Sequence, residues 1–128
     1  MNLGSKIYSF EELEVYKTAR ELRKMISKLI KTFPSQEKFR LTDQLLRSSR
    51  SITANIAEGF GRFHYQENIQ FCRQARGSLN ETLDHLSCAF DELYIKEDTF
   101  VSFRDKILDC QKILNGYIAY LKKAANKK

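Results

Sequence analysis

Apolar side chains recur every three or four positions in four long segments of this chain, separated by short polar or glycine-bearing links. Val15, Ala19, Leu22, Ile26, Leu29 and Phe33 step by 4, 3, 4, 3 and 4, which places them on one face of a helix. Ahead of them, Ser9-Phe10-Glu11-Glu12 has capping-box form. Pro34 ends the segment, because proline biases the preceding residue away from helical geometry. A second helix is predicted with Ser35 as its cap and Glu37 in its first turn. Leu41, Leu45, Ile52 and Ile56 share one side of it, with Ser48 in the row, and Gly59 and Gly61 close it. A third helix is predicted from Tyr65 to Leu93, on the row Ile69, Cys72, Arg76, Leu79, Leu83, Leu86, Phe90 and Leu93. The fourth starts at Asp98 as cap and follows Phe100, Phe103, Ile107, Cys110, Leu114, Tyr117 and Leu121. The basic tail, Lys122 to Lys128, is expected to fray.

Four helices with short links predict an all-α, antiparallel, up-down-up-down four-helix bundle, one domain over residues 1–128. The two central helices each carry a second row. Gln44, Ser48, Ser51, Asn55 and Glu58 recur at 4, 3, 4 and 3, and Phe71, Ala75, Ser78, Thr82, His85 and Ala89 at 4, 3, 4, 3 and 4. Two readings are open. The rows are a solvated face, or they form a close seam whose polar groups bond one another. Exposed helix faces usually carry Lys, Glu and Arg, which favours the seam and its extension to a subunit interface. Gly77 in mid-helix fits close packing, since it costs about 1 kcal/mol relative to alanine. Glu58 opposes the dipole at a helix C-terminus, so Arg62, Arg47 or a backbone amide is its expected partner. Asn55 is expected to bond the chain where it turns through Gly59 and Gly61.

Charge changes the picture more than bulk composition does. The net +6 is uneven: residues 1–34 and 35–80 each carry +3, residues 81–109 carry −5 and residues 110–128 carry +5. A polyanionic partner fits this balance. No apolar run reaches the length of a membrane span, about 18 residues, and the start, MNLGSKIYSF, lacks the apolar run of a secretory signal. Three widely spaced cysteines, Cys72, Cys88 and Cys110, argue against a disulfide framework. A reducing cytoplasm is the expected location.

Specific motifs then suggest a relationship. QLLRSSRSITANIAEG, from Gln44 to Gly59, resembles the signature of the four-helix bundle proteins first met in intervening sequences of bacterial large-subunit rRNA genes. FPSQE from Phe33, ARGSLNE from Ala75 and FEELEVY from Phe10 are similar to that family's other segments, and the likeness spans about residues 8–120. Leu46 and Arg50 are mild departures from the pattern. The resemblance implies a long antiparallel bundle and a ring-like homopentamer. It also implies kinship with the accessory protein of diversity-generating retroelements, which binds nucleic acid and a reverse transcriptase. It implies no catalytic residue.

Nucleic-acid binding is accordingly the leading functional reading, as RNA or DNA backbone recognition. The expected contacts are Arg40, Arg47 and Arg50 on the second helix, Arg62, Arg73 and Arg76 beyond it, and Lys122 and Lys123 at the end. Arginine forks suit phosphate oxygens, and a ring of copies multiplies a modest patch. No helix-turn-helix, zinc finger or aromatic sheet signals base readout. The alternative is a protein-interaction scaffold, for example a partner of a reverse transcriptase, using the small and polar rows and the aromatic residues Phe60, Phe63 and Tyr65. Enzyme chemistry is not expected. Glu81, His85 and Cys88 form one isolated cluster, short of the paired Glu-x-x-His motifs of di-iron bundles or the closed ligand set of zinc. The three cysteines are read as lying on apolar rows. No cofactor and no metal are expected. A membrane-surface role for residues 110–128 is disfavoured, because the fourth helix uses its apolar face in the bundle.

Overall fold

The computed structural model describes residues 7–127. Its α-helices are α1 (Glu14–Leu29), α2 (Leu41–Phe60), α3 (Tyr65–Asp91) and α4 (Glu97–Asn126), and no strand occurs among the described residues. Each helix packs on its chain neighbour, and α4 closes back on α1, so the four surround one core as an up-down-up-down bundle. The α2–α3 contact is the most extensive and the α1–α4 contact the least.

The apolar rows meet in the middle. Val15, Ala19, Leu22 and Ile26 of α1, Leu45, Ile52 and Ile56 of α2, and Phe103, Ile107, Cys110, Leu114, Tyr117 and Leu121 of α4 are all buried. The predicted row of α3 needs revision. Arg76 lies half-buried at its margin and Leu93 is 87% exposed, whereas Ala75, Ser78, Thr82 and Ala89 are buried beside Ile69, Cys72, Leu79 and Leu86. Helix α3 is flanked by both α2 and α4, so it buries members of both rows read on it, the small and polar one against α2.

The expected boundaries also shift, for local reasons. Ser9 caps only the short 3-10 turn Phe10–Glu12, its Oγ accepting from the Glu11 amide at 3.2 Å. Leu13 then turns extended to reach the core, and α1 starts after it. Ser35 does not cap α2. Residues Ser35–Glu37 form a separate 3-10 turn, and α2 begins at Leu41. The capping group is the Glu37 carboxylate, which accepts from the Leu41 amide at 3.2 Å and from the Tyr94 hydroxyl at 2.7 Å. The Tyr94 bond, then the Leu41 amide and the charge of Arg40, hold that carboxyl below its ordinary range. Asp98 is not the cap of α4 but lies in its first turn behind Glu97, its Oδ1 accepting from the Thr99 amide at 2.8 Å. Helix α4 continues through Lys122 and Lys123 to Asn126, with Leu121 buried and Ala124 and Ala125 half-buried. Lys128 lies outside the described residues.

Helix α3 ends in a Schellman motif. The Tyr94 amide donates to Ala89 O at 2.9 Å and the Leu93 amide to Phe90 O at 3.0 Å. This puts Leu93 at φ 63°, a region that costs a non-glycine residue about 1 kcal/mol. Its side chain stays in water, so burial offsets none of that cost. Leu93→Gly is therefore expected to stabilise the fold by about 1 kcal/mol, read as a higher denaturant midpoint at unchanged slope. A lower midpoint would show that the exposed leucine makes a contact this geometry lacks.

Candidate nucleic-acid interface

The α2–α3 seam sets where the cationic side chains point. Thr82 Oγ1 donates to Ser48 Oγ at 2.9 Å, and Ser51 Oγ and Ser78 Oγ share a hydrogen bond of 2.9 Å. Ser48, Ser78 and Thr82 are buried. The small and polar rows are thus a close helix–helix contact and not a solvated face, although Gln44 and Glu58 at the ends of the α2 row are exposed. Asn55 takes a different partner from the one its position suggested. Its Nδ2 donates to Ser51 O at 2.9 Å and Ser51 Oγ at 3.0 Å, one turn back, and not to the turn at Gly59 and Gly61.

At Gly59 the two helices approach closely. A Cβ there would stand 2.6 Å from Asn68 Oδ1 and 2.9 Å from Phe71 Cβ. Asn68 cannot easily withdraw, since it is buried and its Nδ2 donates to the Tyr117 hydroxyl at 3.2 Å. Burial pushes that hydroxyl up to about 12. Gly77 is the opposite case: a Cβ there would meet nothing within 4 Å. The reading of Gly77 as a packing glycine is corrected, because its side of α3 faces solvent.

This frame spreads the expected contact residues over several margins. Arg40 precedes α2 beside Glu37. Arg47 and Arg50 lie on opposite sides of α2's outer ridge. Arg47 borders a hollow with Gln44, Ser51 and Glu81, and its Nη1 is 3.6 Å from Asp43. Arg50 borders the groove toward α1. Arg62 lies past the end of α2, 2.7 Å from Glu58 and over the Phe71 ring at 4.8 Å, which supplies Glu58 with its partner. Arg73 donates to Gln70 at 2.9 Å on the surface of α3, and Arg76 reaches across to Asn115 of α4 at 2.9 Å. Lys122 and Lys123 are exposed near the end of α4, which is also the Arg62 end of the bundle, since Arg62 and Leu121 line one hollow there.

A further set of cations was passed over in the sequence. Lys17, Arg20, Lys24, Lys28 and Lys31 recur at spacings of 3, 4, 4 and 3 and are all exposed along α1 and the turn that extends it. Only Lys24 has an ion pair among the described residues, 3.5 Å from Glu21. Arg23, beside this stripe, faces α2 and donates to Thr53 Oγ1 at 2.9 Å. With Arg50 across the groove, these groups make the α1–α2 side of the bundle predominantly cationic, with Glu21 exposed beside Lys24. The signal was present as a period of charge at helical spacing, but attention to apolar periodicity treats such positions only as the solvated side.

Other chemistry-bearing groups are scattered. Burial pushes the thiols of Cys72 and Cys110 up to about 12. Cys88 is exposed, so not all three cysteines lie on apolar rows, and its thiol is raised by burial and by Asp84, Asp91 and Glu92. His85 Nε2 sits 3.4 Å from Glu81 Oε2, and His64 precedes α3 in the link. Among the described residues no three His, Cys, Asp or Glu side chains come together as a metal-binding group. Among the described residues no helix is long and apolar enough to cross a membrane.

Fold and flank together define a class: an all-helical protein of four antiparallel helices, with a polar seam at its centre and a cationic outer face on its first pair. The chain belongs to the 23S rRNA-intervening sequence protein family, whose model matches residues 11–116. Among solved structures it is similar to a protein of unknown function from the S23 ribosomal protein family of Bacteroides thetaiotaomicron. The two share 28% identity at a TM-score of 0.75, over 81% of this chain and 97% of that one. No curated protein matches the chain.

Proposed function

We propose that this chain is a non-enzymatic, homo-oligomeric bundle that works in the cytoplasm and binds RNA or DNA by its phosphate backbone. The observation that carries this reading is the α1 stripe: five exposed cations on one outer face, four of them without an ion pair among the described residues. Such a row, flanked on α1 by the acids Glu14 and Glu21, matches a polyanion better than an ordinary solvated face, where both signs of charge alternate throughout. Arg50 widens the row toward α2, while Lys122 and Lys123 add positive charge at the end where Arg62 pairs with Glu58 and Glu67. The acidic balance of residues 81–109 lies on α3, α4 and their link; Asp109 borders α1 beside Glu21 and Glu81 borders α2 beside Arg47, whereas the groove between α1 and α2 has no acidic lining residue among those described. Assembly into a ring, such as the pentamer the family resemblance implies, would repeat the flank around an axis and raise avidity without new contacts.

Fluorescence polarisation with labelled 20-mer RNA and DNA tests the reading at about 50 and 200 mM salt. With about four phosphate contacts per binding event, affinity for a duplex is expected to fall roughly a hundredfold between the two. Absence of binding at the lower salt, or affinity indifferent to salt, overturns it.

A second reading, a scaffold for a protein partner such as a reverse transcriptase, draws on a different observation. Phe39 and Phe63 are each 84% exposed, and Leu93 87%, all in links at the bundle ends. Capture of such a partner that survives nuclease treatment would favour it.

A further inference from the structure

The groove between α1 and α2 is lined by Tyr16, Arg23, Arg50, Thr53, Ala54 and Ala57. Two of these six groups are cationic and none is acidic. Thr53 is buried; its hydroxyl donates to Arg50 O at 3.2 Å and accepts from Arg23 Nη1 at 2.9 Å. The Arg23 guanidinium is thereby anchored by one nitrogen, leaving its other donors for a ligand. Arg50 is exposed, stands on the facing helix and has no ion pair among the described residues. Two guanidinium groups along one groove repel each other until an anion joins them. A phosphodiester suits the gap, since it carries one charge on two free oxygens and each fork can take one of them. Ala54 and Ala57 keep the α2 wall low, so a nucleic-acid backbone can approach the helix closely. Tyr16 is half-buried, packed on the core at one side and braced edge-on by Phe10, centroids 4.7 Å apart, and the part of it left exposed lines the same groove. An aromatic face beside a phosphate site is what an unpaired base stacks on.

We infer that the α1–α2 groove is a single-strand subsite, holding one phosphodiester between Arg23 and Arg50 with the adjoining base against Tyr16. The inference rests on the nucleic-acid reading above and narrows its substrate class. A duplex keeps its bases stacked on one another, so it gains from the α1 lysines but not from Tyr16. Strand selectivity therefore resides in the groove, and general affinity in the stripe.

The test is polarisation of labelled oligo-dT and oligo-U 20-mers and of a matched 20-base-pair duplex at low salt. Tyr16→Leu is expected to weaken binding of both single strands about tenfold while leaving the duplex within about twofold. Arg50→Gln is expected to weaken single-strand binding about tenfold. Should Tyr16→Leu perturb folding, Ala54→Met blocks the groove from an exposed position and is expected to reproduce the selective loss. Wild-type affinity for single strands in Arg50→Gln and Ala54→Met, alongside salt-dependent wild-type binding, would overturn the groove and leave the nucleic-acid reading standing. Failure of the unaltered protein to bind any of the probes overturns both.

Discussion

Gly59→Ala is expected to cost the fold about 1–2 kcal/mol, and Gly59→Val about 3 kcal/mol or more, despite the better helix propensity of alanine. The new Cβ would stand 2.9 Å from Phe71 Cβ and 3.1 Å from Asn68 O. Neither is the end of a flexible side chain, so α3 itself must move. That movement would also stretch the Ser51–Ser78 and Thr82–Ser48 bonds, each 2.9 Å, and leave buried hydroxyls short of partners. For a chain of this size each kcal/mol corresponds to a fall in Tm of roughly 3–5 °C. Gly77→Ala is the internal control, because a Cβ there meets open space; it is expected to stabilise by about 0.5–1 kcal/mol. Asn68→Ala should couple to Gly59→Ala, the pair costing less than the sum, since the first removes the nearest atom the second would strike. Equal Tm values for the Gly59 and Gly77 variants would mean that the helices do not approach as closely as described.

Reversing charge on α1 is the second large effect. Arg20→Glu with Lys28→Glu is expected to lower affinity for RNA or DNA at least a hundredfold at low salt, and to flatten the salt dependence by about two phosphate contacts. Both side chains are exposed, so stability should change by no more than about 0.5 kcal/mol per site. The new glutamates would stand four residues from Lys24, where opposite charges support a helix. Loss of binding with an unchanged Tm therefore reports the interface and not unfolding. The same reversal at Lys122 and Lys123 tests the end cluster, and a larger loss there than on α1 would move the interface to the Arg62 end of the bundle.

Much of the architecture was legible because burial imposes its own period. A helix with one face in a core must repeat its apolar groups at three and four, so four such rows with short links already specify an antiparallel bundle. The close α2–α3 contact was legible for a related reason: serine, asparagine, alanine and threonine at helical spacing are poor surface residues but suit a contact where backbones approach. The helix dipole called for a partner at Glu58, and of the three candidates left open the structure takes Arg62, one turn on.

What sequence alone could determine was which side chains share a face. It could not say which neighbour each face meets. Arg47 and Arg50 are three residues apart, yet one borders α3 and the other α1, because two helices flank α2 and their placement divides its outer ridge. In the chain Gly59 reads as a helix terminator and Gly77 as a packing residue; only the contact of α2 with α3 crowds the first, which lies inside α2, and leaves the second in solvent. Glu37 displaced Ser35 as the capping group because Tyr94, 57 residues away, holds its carboxylate in place. Periodicity is a one-dimensional signal of partition between water and core; pairing, capping across loops and the union of charges from two helices depend on distances between segments remote in the chain, which only tertiary packing sets.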